Sequence, residues 1–445
     1  MRNRYNVFLT MVIAALCIAM VPKVSAQGVK DIDPSKLPTL LAGSNAGTDF
    51  WFSFPVCWAQ NGGNNALKIY VSAGSAALCT LEIPGLGKRE VKMTKPNDVI
   101  DFTLFPGEGQ PYEKNDNPTS AKTEEETFAE GKGKGIHITS PVPIIVYGVS
   151  RFIYTSDSFL ALPTSALGKE YIVASYADVT APFPSQHLMS QTVIVAPYDN
   201  TVVTFQLGGS AQTRTVGGMT RGQRKTFKLN KGDLVMFANK KDNGNSVYFD
   251  LSGSKITSTK PVAVTSGNQC AYVDVNTPAC DFIMEMELPT HTWGKEYHIP
   301  RFVKRQNYAF MKIFAKEPNT KLYRDGNPTP FAVLSTAGGN QGSGYYEGRV
   351  LVDGLAPRPI IIRADKPISI TTYNPGQTDD GVSSDPFQLI HTPIEQYQKE
   401  IIFNTPGIKG GQGFKENYLN LVFEGNADGT MPDDLEFATV ENGKF

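Results

Sequence analysis

Three stretches of this 445-residue chain repeat one another, and that self-similarity limits the fold more than any other feature. GIHITSPVPIIVYG (135–148), SKITSTKPVAVTSG (254–267) and IIRADKPISITTYN (361–374) each run strand-like residues into a proline, then alternate apolar with small residues. The prolines, Pro143, Pro261 and Pro367, stand 118 and 106 positions apart. A second block follows each stretch: LPTSALGKEYIVASY (162–176), LPTHTWGKEYHIPRF (288–302) and a degraded TPIEQYQKEIIFNTP (392–406). A third, YDNTVVTFQL (198–207), answers PNTKLYRDG (318–326) and, more loosely, NNALKIYVSAG (64–74). The chain therefore reads as a tandem array with a unit of about 120 residues.

Within a unit the runs are short: ALKIYVSA, CTLEIP, REVKMT, VIDFTLF, IHITS, PIIVYGVS and FLALP, divided by Gly, Pro, Asn and Asp. About seven or eight strands per unit with turn signals between them predict an all-β fold of tandem β-sandwich-like units with little helix. The expected divisions are a signal peptide at 1–26, a linker at 27–46, units at 47–167, 168–293 and 294–400, and a partial fourth unit or tail at 401–445. That last segment begins a unit and stops at Phe445 without the strands that would close it. It is expected either to pack on the third unit or to continue into further chain. The polar segment 115–135 reads as a long exposed loop, and its Glu124–Glu126 run as solvated surface.

The opening GTDFWFSF (47–54) aligns with GKEYIVASY and GKEYHIPRF as the first strand of the first unit. Alternation sends Phe50, Phe52 and Phe54 to one face, where three aromatic rings are most simply core. Trp51 faces the other way. With Trp58 and Trp293 it is the candidate aromatic platform for a ligand, against the plainer reading of buried packing.

Arg2 and Arg4, an apolar run from Val7 to Val21 and Val24-Ser25-Ala26 form a secretory signal with cleavage after Ala26. The run is short for a membrane span, so the mature chain is expected to be secreted or held at the cell surface. Cleavage removes three basic residues and no acidic one, taking the formal charge from -1 to -4. Basic residues are scattered, which disfavours nucleic acid and anionic membrane surfaces as partners. Export permits disulfides among Cys57, Cys79, Cys270 and Cys280; three connectivities exist, and proximity in sequence favours Cys57 with Cys79 and Cys270 with Cys280.

Signals for catalysis are weak. The five histidines, His137, His187, His291, His298 and His391, form no HExxH pattern, and His291 and His298 fall on opposite strand faces. No Gly-x-Ser-x-Gly elbow occurs, and GQGFKENY and GNADG lack the strand-to-helix setting of a phosphate loop. TDDGVSSDP (378–386) and NADGTMPDD (426–434) gather Asp379, Asp380 and Asp385, and Asp428, Asp433 and Asp434, as candidate calcium loops, although neither has EF-hand spacing and such acids are commonly solvated turn residues. No catalytic residue, cofactor or metal ligand is assigned.

The span 266–300, SGNQCAYVDVNTPACDFIMEMELPTHTWGKEYHIP, together with YGVSRFIYTSDSFLALPTSALGKEYIV (147–173), resembles the IgGFc-binding protein N-terminal domain family. The cysteine pair, Asp281 and the Leu-Pro-x-x-x-Trp-Gly-Lys-Glu-Tyr block carry the likeness, and matching spans run from about Gly47 to about residue 406. The resemblance implies an extracellular binding or adhesion module for a glycoprotein, with mucin or immunoglobulin Fc as candidates, rather than an enzyme. The competing classes are a carbohydrate-active enzyme or its accessory module, and a structural surface stalk.

Overall fold

A computed structural model describes residues 45–58, 66–96, 98–112, 129–152, 155–177, 188–215, 217–240, 249–274, 280–302, 305–352, 358–376, 384–398, 401, 403, 418–425, 431–432 and 435. The signal segment, nearly all of the linker, His187, Asp379, Asp380, Asp428, Asp433, Asp434 and Glu124–Glu126 lie outside them.

The first seven-stranded sheet contains β1 (Gly47–Phe52), β2 (Ala66–Ala73), β3 (Leu78–Ile83), β4 (Lys88–Met93) and β5 (Asp98–Leu104). A short β6 (Ala129–Gly131) leaves to join the next sheet, and β7 (Ile136–Arg151) and β8 (Ser156–Leu160) complete the first. The second contains β9 (Gly168–Ile172), β10 (Ser190–Val195), β11 (Thr201–Gln206), β12 (Arg224–Leu229), β13 (Leu234–Ala238), β14 (Lys255–Ala271) and β15 (Asp281–Met286). The third contains β16 (Gly294–Ile299), β17 (Tyr308–Ala315), β18 (Thr320–Arg324), β19 (Ala332–Leu334), β20 (Tyr345–Leu351), β21 (Ile360–Asn374) and β22 (Phe387–Ile390). The pairings between these strands are antiparallel, so the all-β repeat expected from the sequence is the fold observed.

The repeat prolines lie in the middle of the three long strands β7, β14 and β21. In β7, residues 136–139 pair with β1 and residues 137–139 with β3, whereas residues 144–151 pair with β2 and 147–151 with β8. Pro143 falls between the two zones, as Pro261 and Pro367 do in β14 and β21. Proline has no N–H for the ladder, so it sits where one long strand passes from one set of partners to another. Each group thus folds two sheet halves over one core.

The Gly-Lys-Glu-Tyr block is a clamp at that passage. Gly168 N–H donates to the Tyr171 hydroxyl at 2.8 Å, and the hydroxyl donates to the Val262 carbonyl just past Pro261 at 2.6 Å. Tyr297 does the same between Gly294 and Ile368. In the first group Phe50 has no hydroxyl, and Asp49 instead accepts from Thr164 while contacting His137 Nε2 at 2.7 Å. The shared Asn-Thr of the third block places Asn200 and Asn319 in the left-handed region, φ 53° and 57°, where asparagine is tolerated before β11 and β18.

A Cβ on Gly47, Gly168 or Gly294 would lie 2.4 Å from Cβ of Pro163, Pro289 or Pro393 respectively, so the turn that leaves each group closes on that group's first residue. Gly168→Ala is expected to lower stability by about 1–3 kcal/mol through overpacking, read as a shift of the denaturant midpoint at unchanged m-value.

Phe50, Phe52 and Phe54 are fully buried, as alternation predicts, and they share one apolar cluster with Val193, Val195, Met236 and Met284 of the second group. The first two groups therefore share one core. The Gln191 side chain accepts from Val56 N–H at 3.0 Å and donates to its carbonyl at 2.7 Å, and Thr265 donates to the Ser53 carbonyl. Part of the expected loop 115–135 is not loop: β6 pairs with β13, and Gly133 N–H donates to Asp233. Beyond residue 400 no described residue forms a strand, and Tyr418, Leu421 and Phe423 are exposed.

The structure bonds Cys270 to Cys280 and leaves Cys57 and Cys79 as buried thiols. The pairing of Cys57 with Cys79 is corrected by topology. β1, which leads to Cys57, and β3, which carries Cys79, occupy opposite edges of β7, so the strand between them separates the two segments. Cys57 is carried toward the second group by its neighbours Val56 and Trp58, whereas Cys79 lies beside Ser140, and burial raises its thiol pKa.

Candidate functional site

β17 is buried on both faces, and its alternation decides what meets the second group. Ala309, Met311, Ile313 and Ala315 enter the third group's own core. The opposite face presents Tyr308, Phe310, Lys312 and Phe314. Phe314 packs with Trp293, Ile172, Ala174 and Tyr345, and Phe310 packs against a cluster holding Tyr176 and Tyr373. Between them Lys312 Nζ donates to Asp250 Oδ2 at 2.5 Å, to the Ser175 carbonyl at 2.8 Å and to Ser252 Oγ at 3.0 Å.

At its outer end this seam opens into a cleft of about 200 Å³ lined by Asp274, Asn307, Tyr308, Phe310, Arg349 and Pro375. Tyr308 is 50% exposed. The Arg349 guanidinium lies 5.0 Å over the Phe310 ring and 3.8 Å from the Asp274 carboxylate. Asp274 belongs to the loop closed by Cys270–Cys280 and has φ 67°, a left-handed conformation that costs most residues free energy. The disulfide therefore holds one rim and the rigid β17–β20 pair the other. A larger depression of about 280 Å³ beside β18 and β21 is less suited to a ligand, because its polar groups are already used: Asp325 accepts from Ile361 N–H, Asp365 from Lys321 N–H, and Arg363 forms two bonds to Glu296.

A third feature is the meeting of β8, β15 and β22, one strand from each group. Asp157 accepts from Met284 N–H and Ser158 N–H, Thr155 accepts from Phe282 N–H, and Asp385 accepts from Ser156 N–H. Burial raises the Asp157, Glu285 and Asp385 carboxyls, and pushes Asp281 to about 7 and Glu287 to about 8. Among the described residues no three His, Cys, Asp or Glu side chains are arranged to hold a metal. Asp281 and Glu287 have folded pKa values above their unfolded ones, so only the folded state takes up their protons as pH falls from about 8 toward 6, and stability rises over that window. His391, buried against Thr372, is depressed to about 4 by burial and withdraws stability below its unfolded value near 6.5. The melting temperature is expected to be higher at about pH 6 than at about pH 8.5, and to rise less steeply below pH 6, where the depressed His391 offsets part of the gain from the two raised carboxyls; a flat profile from pH 6 to 8.5 contradicts the assignment.

The proposed tryptophan platform does not assemble. Trp51 is buried, stacked on His137 at 4.0 Å and covered by the second group's turn at Gly232. Trp293 is buried in the seam between the second and third groups with its indole N–H on the Leu288 carbonyl. Trp58 is half-buried beside Cys270, Cys280 and Leu188. All three pack where groups meet; Trp51 and Trp293 are covered there, and Trp58 is covered in part. His298 is tied to Glu296, His291 is exposed, and no histidine joins the cleft. Tyr308, Phe310, Lys312 and Arg349 escaped the sequence reading. The available signal was YAFMKIFA, a lone lysine inside an apolar run, where strict alternation fails because both faces are covered.

A family model described as IgGFc binding protein matches residues 157–444, starting later and ending further on than the spans that carry the sequence likeness. The human IgGFc-binding protein is 26% identical to the chain over 277 residues, which is 61% of this chain and 5% of that relative. The chain thus spans a small fraction of the curated relative it matches. No solved structure matches it.

Proposed function

Since the chain belongs to the IgGFc-binding protein family, we propose that it is an exported recognition protein that binds an extracellular glycoprotein, with immunoglobulin Fc or a mucin as the first candidates. The family match is the observation that carries this reading. The family is a binding family rather than an enzyme family, and no helix among the described residues is long and apolar enough to cross a membrane. Residues 1–26 would direct export. The face proposed to engage the ligand is the cleft at Tyr308, Phe310 and Arg349. Tyrosine and arginine on a rigid rim are residue types that dominate binding energy, because they combine apolar contact with directed hydrogen bonds.

Titration of the purified mature chain against immobilised Fc, mucins and free glycans tests the reading, with and without calcium. Saturable binding to one class is expected, and Tyr308→Ala and Arg349→Ala should each weaken it about tenfold at unchanged melting temperature. No binding by folded protein removes the recognition reading. Binding that both variants retain removes the cleft and keeps the reading.

A further inference from the structure

Lys312 and Asp250 form a pair that the repeat itself does not require. Lys312 pairs in β-register with Thr371, four residues beyond Pro367; the corresponding position in the second group, opposite Thr265 and four beyond Pro261, is Val193. An apolar residue packs the preceding seam at this point, and burying two charges instead gains little over apolar packing. The Lys312 and Asp250 side chains are 1% and 8% exposed. Lys312 Nζ also lies 5.3 and 5.0 Å from the ring centroids of Tyr176 and Tyr373, so the pair is sealed from water.

We propose that Lys312 and Asp250 condense into an amide that ties the second and third strand groups covalently. The geometry suits the step. Nζ hydrogen-bonds Oδ2 at 2.5 Å, which holds the amine against the carboxyl group whose carbon it would attack and beside the oxygen that would take its protons. The other oxygen, Oδ1, accepts the Ser252 backbone N–H at 2.8 Å, a donor placed where negative charge develops as nitrogen adds to Cγ. The bond formed is Nζ–Cγ and the bond broken is Cγ–Oδ2. Starting from the ion pair, two of the three ammonium protons pass to Oδ2, which departs as water, and the third remains on the amide nitrogen. Charges cancel, and no oxidant, cofactor or second substrate is consumed. Ser252 Oγ, which accepts from Nζ at 3.0 Å and donates to the Ser175 carbonyl at 2.7 Å, holds the amine beside the carboxyl group.

Mass spectrometry of the reduced wild-type chain tests the bond. The expected result is an intact mass one water below that of the linear sequence, and a protease digest containing a branched peptide that joins the segments of Asp250 and Lys312 and survives reduction. Lys312→Arg keeps the positive charge without forming this amide, and its digest should contain only linear peptides there. Recovery of wild-type Asp250 and Lys312 in unmodified linear peptides would overturn the proposal. So would a water deficit that maps to another position, such as a dehydrated Asp-Gly step. Because the readout is covalent and taken on the wild-type chain, it stands whatever the ligand-binding experiment shows.

Discussion

Lys312→Met is expected to lower the unfolding free energy by about 3–5 kcal/mol, which would make it one of the two largest single-residue effects in the chain. The loss arises mainly from what is left behind. Asp250 stays buried, keeping one Ser252 N–H and losing the ammonium that neutralises it, and the Ser175 carbonyl loses one of its donors while retaining Ser252 Oγ and Tyr373 Oη. Chemical denaturation of the variant checks the size. The double variant Lys312→Met/Asp250→Leu separates a penalty of unpairing from a need for the pair itself: with an ion pair alone it should recover most of the loss, since apolar replacement of a buried pair is often neutral or better. If the amide is present, the double variant stays well below wild type, because a covalent constraint on the unfolded chain has gone as well.

Trp51→Ala is the second large effect, with an expected cost of about 3–5 kcal/mol. The indole is 2% exposed, stacked on His137 with an interplanar angle of 13°, and capped by Gly135 and Gly232 from two groups. Its removal opens a cavity between bodies that share one core, and neither can collapse into it without breaking the Gly135 N–H to Gly232 carbonyl bond of 2.8 Å. Trp58→Ala is the internal comparison. That ring is half-buried at the edge of a small cluster, so its truncation should cost well under half as much. Equal costs for the two, read by denaturant unfolding, contradict the placement of Trp51 in the seam. Binding lost from Trp51→Ala at unchanged stability would restore it to a ligand platform.

Much of the architecture was legible before any coordinates. The repeat prolines, the Gly-Lys-Glu-Tyr clamp and the Asn-Thr turns each depend on residues close in sequence or on backbone rules that one residue type satisfies. Their recurrence therefore reports recurring geometry. The Phe50, Phe52 and Phe54 core followed from period-two alternation alone. The candidate cleft was not legible, because Asp274, Tyr308, Arg349 and Pro375 come from separate parts of the chain and share no local pattern. The tryptophans misled for a related reason: large apolar rings read the same whether a second group covers them or not, as Trp51 and Trp293 show.

The sequence by itself determined the repeating all-β unit, where its long strands change partners, and which face of β1 is core. The tertiary structure decided which second face is also covered, that the disulfide joins Cys270 to Cys280, and that Lys312 meets Asp250 across 62 positions. The physical reason is the range of the forces involved. Backbone geometry and alternation act between neighbours along the chain, whereas burial of a strand's outer face depends on a surface that another part of the chain supplies only after both have folded.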